Sequence, residues 1–300
     1  MCKTVLVLLS TYNGEKYLAE QLDTILNQTK KNILVSILIR DDGSKDDTLN
    51  IIEKYKKNYD CIELVEGDNV GPAQSYRKLI QLARDDFDYY AFADQDDIWL
   101  EDKISIASGD MECADSGIPI LWYSAVLKKY SDGRSAYFHC DVERANDFRS
   151  IIETFATTNG CSMVFNNALF KILKAIPDGV IDMHDSWINA VCIACGGMVI
   201  SNKKAYVIYR MHDGQVLGNK STSLNSLKRS LMLCERKRSK TVKLIYDCKC
   251  IERDKKKYLE PMLDYNDWRN KLAVIFRKKP GYISNKEHLK FKLQVLLNRY

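Results

Sequence analysis

The sequence predicts an α/β fold, a mainly parallel sheet with helices on both faces, followed by a basic helical region. Three observations carry this expectation. Short β-branched runs alternate with helical periodicities four times over about the first 100 residues, the pattern of a parallel sheet covered on both sides. Three of the four apolar runs stop abruptly at polar clusters: Ser10-Thr11-Tyr12, Asp41-Asp42 and Asp94-Gln95-Asp96-Asp97. The charge also divides, with 22 Lys and Arg against 8 Asp and Glu in residues 220–300 (net +14) and 23 against 32 in residues 1–219 (net −9). The expected organisation is a sheet domain over 1–219 and a basic α-helical region over 220–300.

Taken in order, Thr4 to Leu9 is a first buried strand, ending at Ser10-Thr11-Tyr12-Asn13-Gly14. Leu18, Leu22, Ile25 and Leu26 then follow at helical spacing, with Asn13 or Gly14 as the N-cap. Ile33 to Ile39 is a second strand, and Ser44 with Asp47 resembles a capping box for the next helix. Cys61 to Val65 is a third strand. Gly71-Pro72 opens another helix, because Pro at the first helical position loses no hydrogen bond. Tyr89 to Ala93 is the fourth strand, followed by a strand over Ile120 to Leu127. Residues 128–150 lack periodicity and read as a loop. Asn159 to Phe165 is strand-like, Asn167 to Ile176 a short helix, and Asp182 to Gly196 an apolar helix. Met198 to Ile200 and Ala205 to Tyr209 read as two short strands. In the basic region Leu224, Leu227, Leu231, Leu244 and Ile245 have helical spacing, and Pro261 and Pro280 divide it into about three helices.

The 46% hydrophobic and 28% charged fractions are those of a globular protein, and 300 residues suffice for a large core. No apolar run approaches the ~18 residues of a spanning helix. Val5 to Leu9 is too short for a signal-peptide core, so the expected location is the cytoplasm. The ten cysteines are scattered and read as reduced thiols, since a zinc ribbon needs two well-spaced pairs. Trp268, Phe276 and Tyr282 lie among Arg269, Lys271, Arg277, Lys278 and Lys279, a composition that suits an anionic membrane surface. A basic face folded back on the main domain is the alternative, and nucleic acid is disfavoured.

In open parallel sheets, ligands bind beyond the carboxyl ends of the strands, so the three polar clusters should share one crevice. Carboxylates as close as Asp94, Asp96 and Asp97 repel, and a divalent cation is the usual offset. A cation on Asp96 would hold a diphosphate, with neutral His212 completing its shell. Arg210 would pair with phosphate oxygens, Asp41 or Asp42 would accept from a nucleobase imide, and Tyr12 would cover the base. Asp185 would act as general base for a hydroxyl. Each has a bland alternative: His212 a surface residue, Asp185 a helix cap, Arg210 a strand-end charge.

Together the motifs resemble those of family 2 glycosyltransferases with the GT-A fold. The matching residues are Ser10 to Gly14, Asp41 to Ser44, Asn69 to Gly71, Ala93 to Trp99, His184 to Trp187 and Tyr209 to His212, spread over residues 3–218 in the family's order. The resemblance implies inverting transfer of a sugar from a nucleotide diphosphate, dTDP- or UDP-linked, to an acceptor hydroxyl. By that likeness Thr11, Tyr12, Asn13, Asp41, Asp42, Asp94 and Arg210 serve the nucleotide, and Asp96 and His212 bind Mn2+ or Mg2+. Asp185 is the base, and Asp97, Trp99, Gly160, His184 and Trp187 line the donor-sugar or acceptor pocket. The combination of Asp-Gln-Asp-Asp-Ile-Trp with His-Asp-x-Trp looks most like enzymes of bacterial surface polysaccharide assembly, rhamnosyltransferases among them. Such enzymes commonly use lipid-linked acceptors, which fits a peripheral position on the inner face of the cell membrane through the basic helices. Ser186 and Gln215 depart from the pattern of many relatives. A glycoside hydrolase, which also needs two carboxylates, and an inactive scaffold are the rival readings, and homodimerisation through the tail stays open.

Overall fold

The computed structural model describes residues 2–28, 32–155, 159–212, 237–264, 266–298 and 300. Its sheet begins with four parallel strands, β1 (Lys3–Thr11), β2 (Ile33–Asp41), β3 (Ile62–Glu66) and β4 (Tyr89–Asp94). Four further strands extend it: β5 (Ile98–Trp99), β6 (Ile120–Tyr130), β8 (Val164–Asn166) and β9 (Met198–Met211), in the spatial order β3-β2-β1-β4-β8-β6-β9-β5. A hairpin strand, β7 (Ser135–Phe138), pairs with β6. β8 is antiparallel to both β4 and β6, whereas β9 runs parallel to β6, so the sheet is mixed but mostly parallel.

Side chains on a strand alternate between faces, and here both faces are covered. Val5, Val7 and Leu9 of β1 pack in one hydrophobic cluster, shared with α1 (Leu18–Leu26), α2 (Thr48–Asn58) and α4 (Lys103–Glu112). Leu6 and Leu8 pack in the other, with α3 (Pro72–Leu82), α7 (Asn167–Ala175) and α8 (His184–Ala194). This explains why the strands read as unbroken apolar runs. From Trp187 to Ala194, α8 is buried all round, as expected for a helix apolar on every side.

Several local expectations are corrected. Residues 128–150 are not a loop. β6 runs on to Tyr130, β7 follows, and two short helices, α5 (Val142–Asn146) and α6 (Phe148–Thr154), complete the stretch. Their start signals are caps rather than periodicity: the Asp141 and Asp147 carboxylates accept from the backbone N–H groups of Glu143 and Ser150 at 3.1 Å. Ser44 and Asp47 form no capping box, because the Ser44 hydroxyl donates to Asp41 and α2 starts only at Thr48. Neither Asn13 nor Gly14 caps α1, which begins at Leu18; Asn13 lies in the left-handed region, with φ of 50°. The two strands expected over 198–209 are one, β9, whose register against β6 shifts near Ala125.

In the basic region, α9 (Lys237–Tyr246), α10 (Arg253–Leu259), α11 (Trp268–Ile275) and α12 (Asn285–Leu296) are described. Val242, Ile245, Leu259, Val274, Phe291 and Val295 join the same cluster as Trp187 of α8, so these helices pack on the sheet domain. Leu224, Leu227 and Leu231 lie outside the described residues.

Candidate active site

Strand register brings the polar clusters together. Ser10 stands opposite Asp94 and Thr11 opposite Asp41, so β1, β2 and β4 end at one level. Beyond them opens a cleft of about 400 Å³ lined by Thr11, Tyr12, Asp42, Asp94, Asp96, His184 and His212, all singled out from the sequence. Ser10, Asn69, Gly71, Pro72, Gln95, Met183 and Tyr209 complete the lining.

The loops on the β1–β2 side are fixed by hydrogen bonds. Asp41 spends its acceptors within its own turn, taking the N–H groups of Gly43 at 3.0 Å and Ser44 at 2.9 Å. Asp42, 3% exposed, pairs with the buried Arg40 guanidinium and accepts from Val70 N–H at 2.9 Å and Gly71 N–H at 2.8 Å. It thereby ties the loop after β3 to the end of β2. Asn13 joins two loops: its N–H donates to Ser44 Oγ at 2.9 Å and its Oδ1 accepts from Lys45 N–H at 2.8 Å. Gln95 Oε1 accepts from Thr11 Oγ1 at 2.6 Å and Tyr12 N–H at 2.7 Å, locking the acidic turn to β1. Asp41 and Asn13 therefore shape the cleft without lining it.

The opposite side holds groups in costly environments. Asp94 accepts from the Tyr76 hydroxyl at 2.7 Å, yet burial and the neighbouring Asp96 charge push its carboxyl up to about 6. Asp97 is fully buried with both oxygens unpartnered by hydrogen-bond geometry, and burial raises it well above the carboxylate range. Lys103, also buried, is pushed down to about 7; its ammonium lies 3.3 Å from the Trp99 ring centroid and donates to Cys161 O at 2.7 Å. Burial thus drives both Asp97 and Lys103 towards their neutral forms. Trp99, 2% exposed, packs in the hydrophobic cluster and does not line the cleft.

His184 stacks on Tyr76 with centroids 3.9 Å apart and meets Phe92 edge-on at 5.0 Å. Both its ring nitrogens lack partners, and burial lowers it to about 3, so the ring is neutral. Gly160 makes this possible, because a Cβ there would lie 2.2 Å from His184 Nε2. Asp185, in the first turn of α8, accepts from Ser186 N–H at 2.6 Å, and burial pushes it up to about 6. Its charge also raises Asp94. Trp187 is fully buried under the Arg77 guanidinium, 5.0 Å from its ring, and supports α8 rather than the cleft.

At the mouth, His212 Nε2 lies 2.7 Å from Asp96 Oδ2, although 116 residues separate them. The two atoms are hydrogen-bonded to each other here, and a carboxylate oxygen and an imidazole nitrogen are donor types that suit Mn2+ or Mg2+. The deeper group of Asp94, Asp97 and Cys161 fits such an ion less well, because Asp97 and the Cys161 thiol are both raised towards their protonated forms. Arg210 is paired with Glu20 and lies 5.0 Å over the Tyr17 ring, beside the cleft rather than in its lining. Gln215 lies outside the described residues.

Residues 6–170 match the family model for glycosyl transferase family 2. The chain belongs to this family. A dTDP-rhamnosyl transferase of Shigella flexneri, RfbG, is 30% identical over 70% of this chain and 73% of its own length. An abequosyltransferase of Salmonella typhimurium, RfbV, is 28% identical over 53% of this chain and 43% of its own length. Among solved structures, S. aureus TarS 1–349 in complex with UDP-GlcNAc superposes with a TM-score of 0.59 at 17% identity, covering 98% of this chain and 80% of that one. A mannosyltransferase from Pyrobaculum calidifontis, in complex with GDP-Man and Mn2+, gives 0.52 at 18% identity, over 100% and 81%. The fold is therefore GT-A, and the chain is a family 2 glycosyltransferase with relatives named as a rhamnosyl transferase and an abequosyltransferase.

The sequence assigned no individual role to Tyr76, Tyr209 or Gln95, although Gln95 stands in the polar cluster after β4 and Tyr209 in a matched motif. Their shared feature is a polar group at the edge of an apolar segment, which periodicity alone cannot distinguish from packing.

Proposed function

We propose that this glycosyltransferase moves a sugar, with inversion, from a dTDP- or UDP-linked donor to a hydroxyl of a glycan or lipid-linked acceptor in bacterial polysaccharide assembly. The observation that carries the proposal is the meeting of Asp96 and His212 at 2.7 Å in a cleft that is also lined by Met183 and His184; Asp185, next in the chain, is not itself in the lining. Asp96 and His212 would hold Mn2+ or Mg2+, which when bound supplies positive charge to the departing diphosphate. Tyr12, 45% exposed at the cleft, offers a ring face to the base. Asp42 lines the same side, and beyond Arg40, Val70 and Gly71 its Oδ2 keeps one lone pair. Asp185 takes the proton from the acceptor hydroxyl as its oxygen attacks the anomeric carbon from the face opposite the diphosphate. Neutral His184, next to it in the chain, gives the cleft its ring, while both ring nitrogens are buried. Rhamnose is the favoured donor sugar because RfbG, a relative matched over 70% of this chain at 30% identity, is named for it.

No helix among the described residues is long and apolar enough to cross a membrane. We place the enzyme in the cytoplasm, against the inner face of the cell membrane where a lipid-linked acceptor is presented. The test is calorimetric titration of UDP and dTDP with and without manganese, followed by a donor hydrolysis screen that reads released diphosphate. Manganese-dependent binding of one nucleotide, lost in Asp96→Ala, supports the reading. Binding of neither, with hydrolysis of a simple glycoside instead, replaces it with the hydrolase.

A further inference from the structure

The outer faces of α11 and α12 carry apolar side chains that nothing among the described residues covers. On α11, Trp268, Leu272 and Phe276, just past its end, recur at intervals of four and are 64%, 40% and 79% exposed. On α12, Leu289, Leu293 and Leu296 are 59%, 41% and 53% exposed. Residues three or four apart share a helix face, so each set forms one stripe. The opposite faces are already used, since Val274, Phe291 and Val295 are buried in the core. The two helices pack against each other, with Lys271 Nζ 3.4 Å from Leu296 O, so the stripes stand on neighbouring helices. Scattered apolar residues on a surface need no explanation, but an exposed stripe on each of two neighbouring helices does.

Charge decides what covers them. Residues 268–300 hold nine Lys and Arg and a single acid, Glu287. That acid is committed to Arg144 at 2.9 Å and to the Ser284 cap. An apolar stripe in so basic a segment suits an interface between hydrocarbon and anionic headgroups. A second copy of this chain is a poor fit, because a two-fold contact through this face would set like charges against each other. We propose that the α11–α12 face is the membrane-docking surface, lying flat on anionic lipid with Trp268 and Phe276 inserted among the headgroups. This rests on the reading that the acceptor is lipid-linked and locates the surface that reading requires. α12 packs on α6 and α6 on α8, so the docked face and the helix bearing Asp185 share one core.

The test is flotation of the full chain with vesicles of phosphatidylcholine alone and of phosphatidylcholine with one-third phosphatidylglycerol. The expected result is binding to the anionic vesicles only, weakened by added salt and reduced at least tenfold in Trp268→Ser/Phe276→Ser. Both side chains are exposed, so this variant should unfold at the wild-type denaturant midpoint and keep wild-type donor hydrolysis in solution. Equal binding by wild type and variant, or none by either, overturns the proposal. So does a concentration-dependent dimer in sedimentation that the variant converts to monomer without any vesicle binding. If hydrolysis and nucleotide binding fail while flotation succeeds, it is the proposed reaction that falls and not the docking surface.

Discussion

The two sides of the cleft are built on opposite principles. On the β1–β2 side, Asp41, Asp42, Asn13 and Gln95 give their polar atoms to one another's loops, and the backbone N–H groups there are answered. On the β4–α8 side, Asp97 and His184 are buried without partners, and Asp94, Asp97 and Asp185 are all pushed upward by burial. The first side is a rigid frame whose carboxylates stabilise the fold. The second keeps ionisable groups near their point of proton exchange, which costs stability and suits proton transfer. Carboxylates of one residue type thus serve two purposes, set by their partners and burial.

The sharpest way to break this contrast is to remove an acid from each side. Asp42→Ala leaves the Arg40 cation buried beside its lost partner and frees two backbone N–H groups. Breaking a buried pair in this way costs about 3–5 kcal/mol, so urea unfolding should show a loss of that size. A loss near zero would mean that the frame is held elsewhere. Asp185→Asn should leave the fold and nucleotide affinity intact while turnover falls by ~100-fold or more. The wild-type kcat/KM should decline as pH drops below about 6, where Asp185 takes up its proton. Turnover close to wild type in the Asn variant would remove Asp185 from the reaction.

A smaller effect probes the seam between the two sides. Gly160→Ala puts a Cβ against His184 Nε2, and the ring is wedged between Tyr76 and Phe92 with no free direction. Overpacking of this kind costs about 1–3 kcal/mol. Because the clash is with one ring, Gly160→Ala should cost much less in a His184→Ala background, a coupling readable in a double-mutant cycle. Additive costs would show that the glycine is needed for its backbone rather than for His184.

The frame was legible in the sequence because it is written in strand ends. Apolar runs stopping at Thr11, Asp41 and Asp94 place those residues at one level of a parallel sheet, and the register bears this out. Asp96 and His212 were joined as ligands of one cation by their chemistry and by the family likeness, since nothing local links positions 116 residues apart. The separate tasks of Asp41 and Asp42 were hidden. Neighbours on a strand end look alike in sequence, and only the folded turn shows Asp41 absorbed by Gly43 and Ser44 while Asp42 reaches across to Gly71. The family likeness put Trp187 and Trp99 in the pocket, but both are buried and neither lines the cleft. The helices after Asp141 and Asp147 were missed because they are shorter than two turns and show no period.

The smallest effect bears on the cost of the proton-exchanging side. Burial lifts Asp185 from an ordinary 3.8 to about 6, so between roughly pH 4 and 6 the folded chain binds more protons than the unfolded one. Stability from this group is therefore greatest at the acid end and falls as pH rises through that window. Asp94 is lifted in the same direction, so the wild-type curve carries both slopes. Asn at position 185 cannot ionise, and the difference between variant and wild type reports Asp185 together with its charge's effect on Asp94. Denaturant titrations at pH 4 and pH 7 should show the variant gaining on wild type as pH rises, while its turnover is lost. A difference that does not change with pH would mean that the Asp185 carboxylate is well solvated, and the two sides of the cleft would then differ in hydrogen bonding but not in what ionisation costs them.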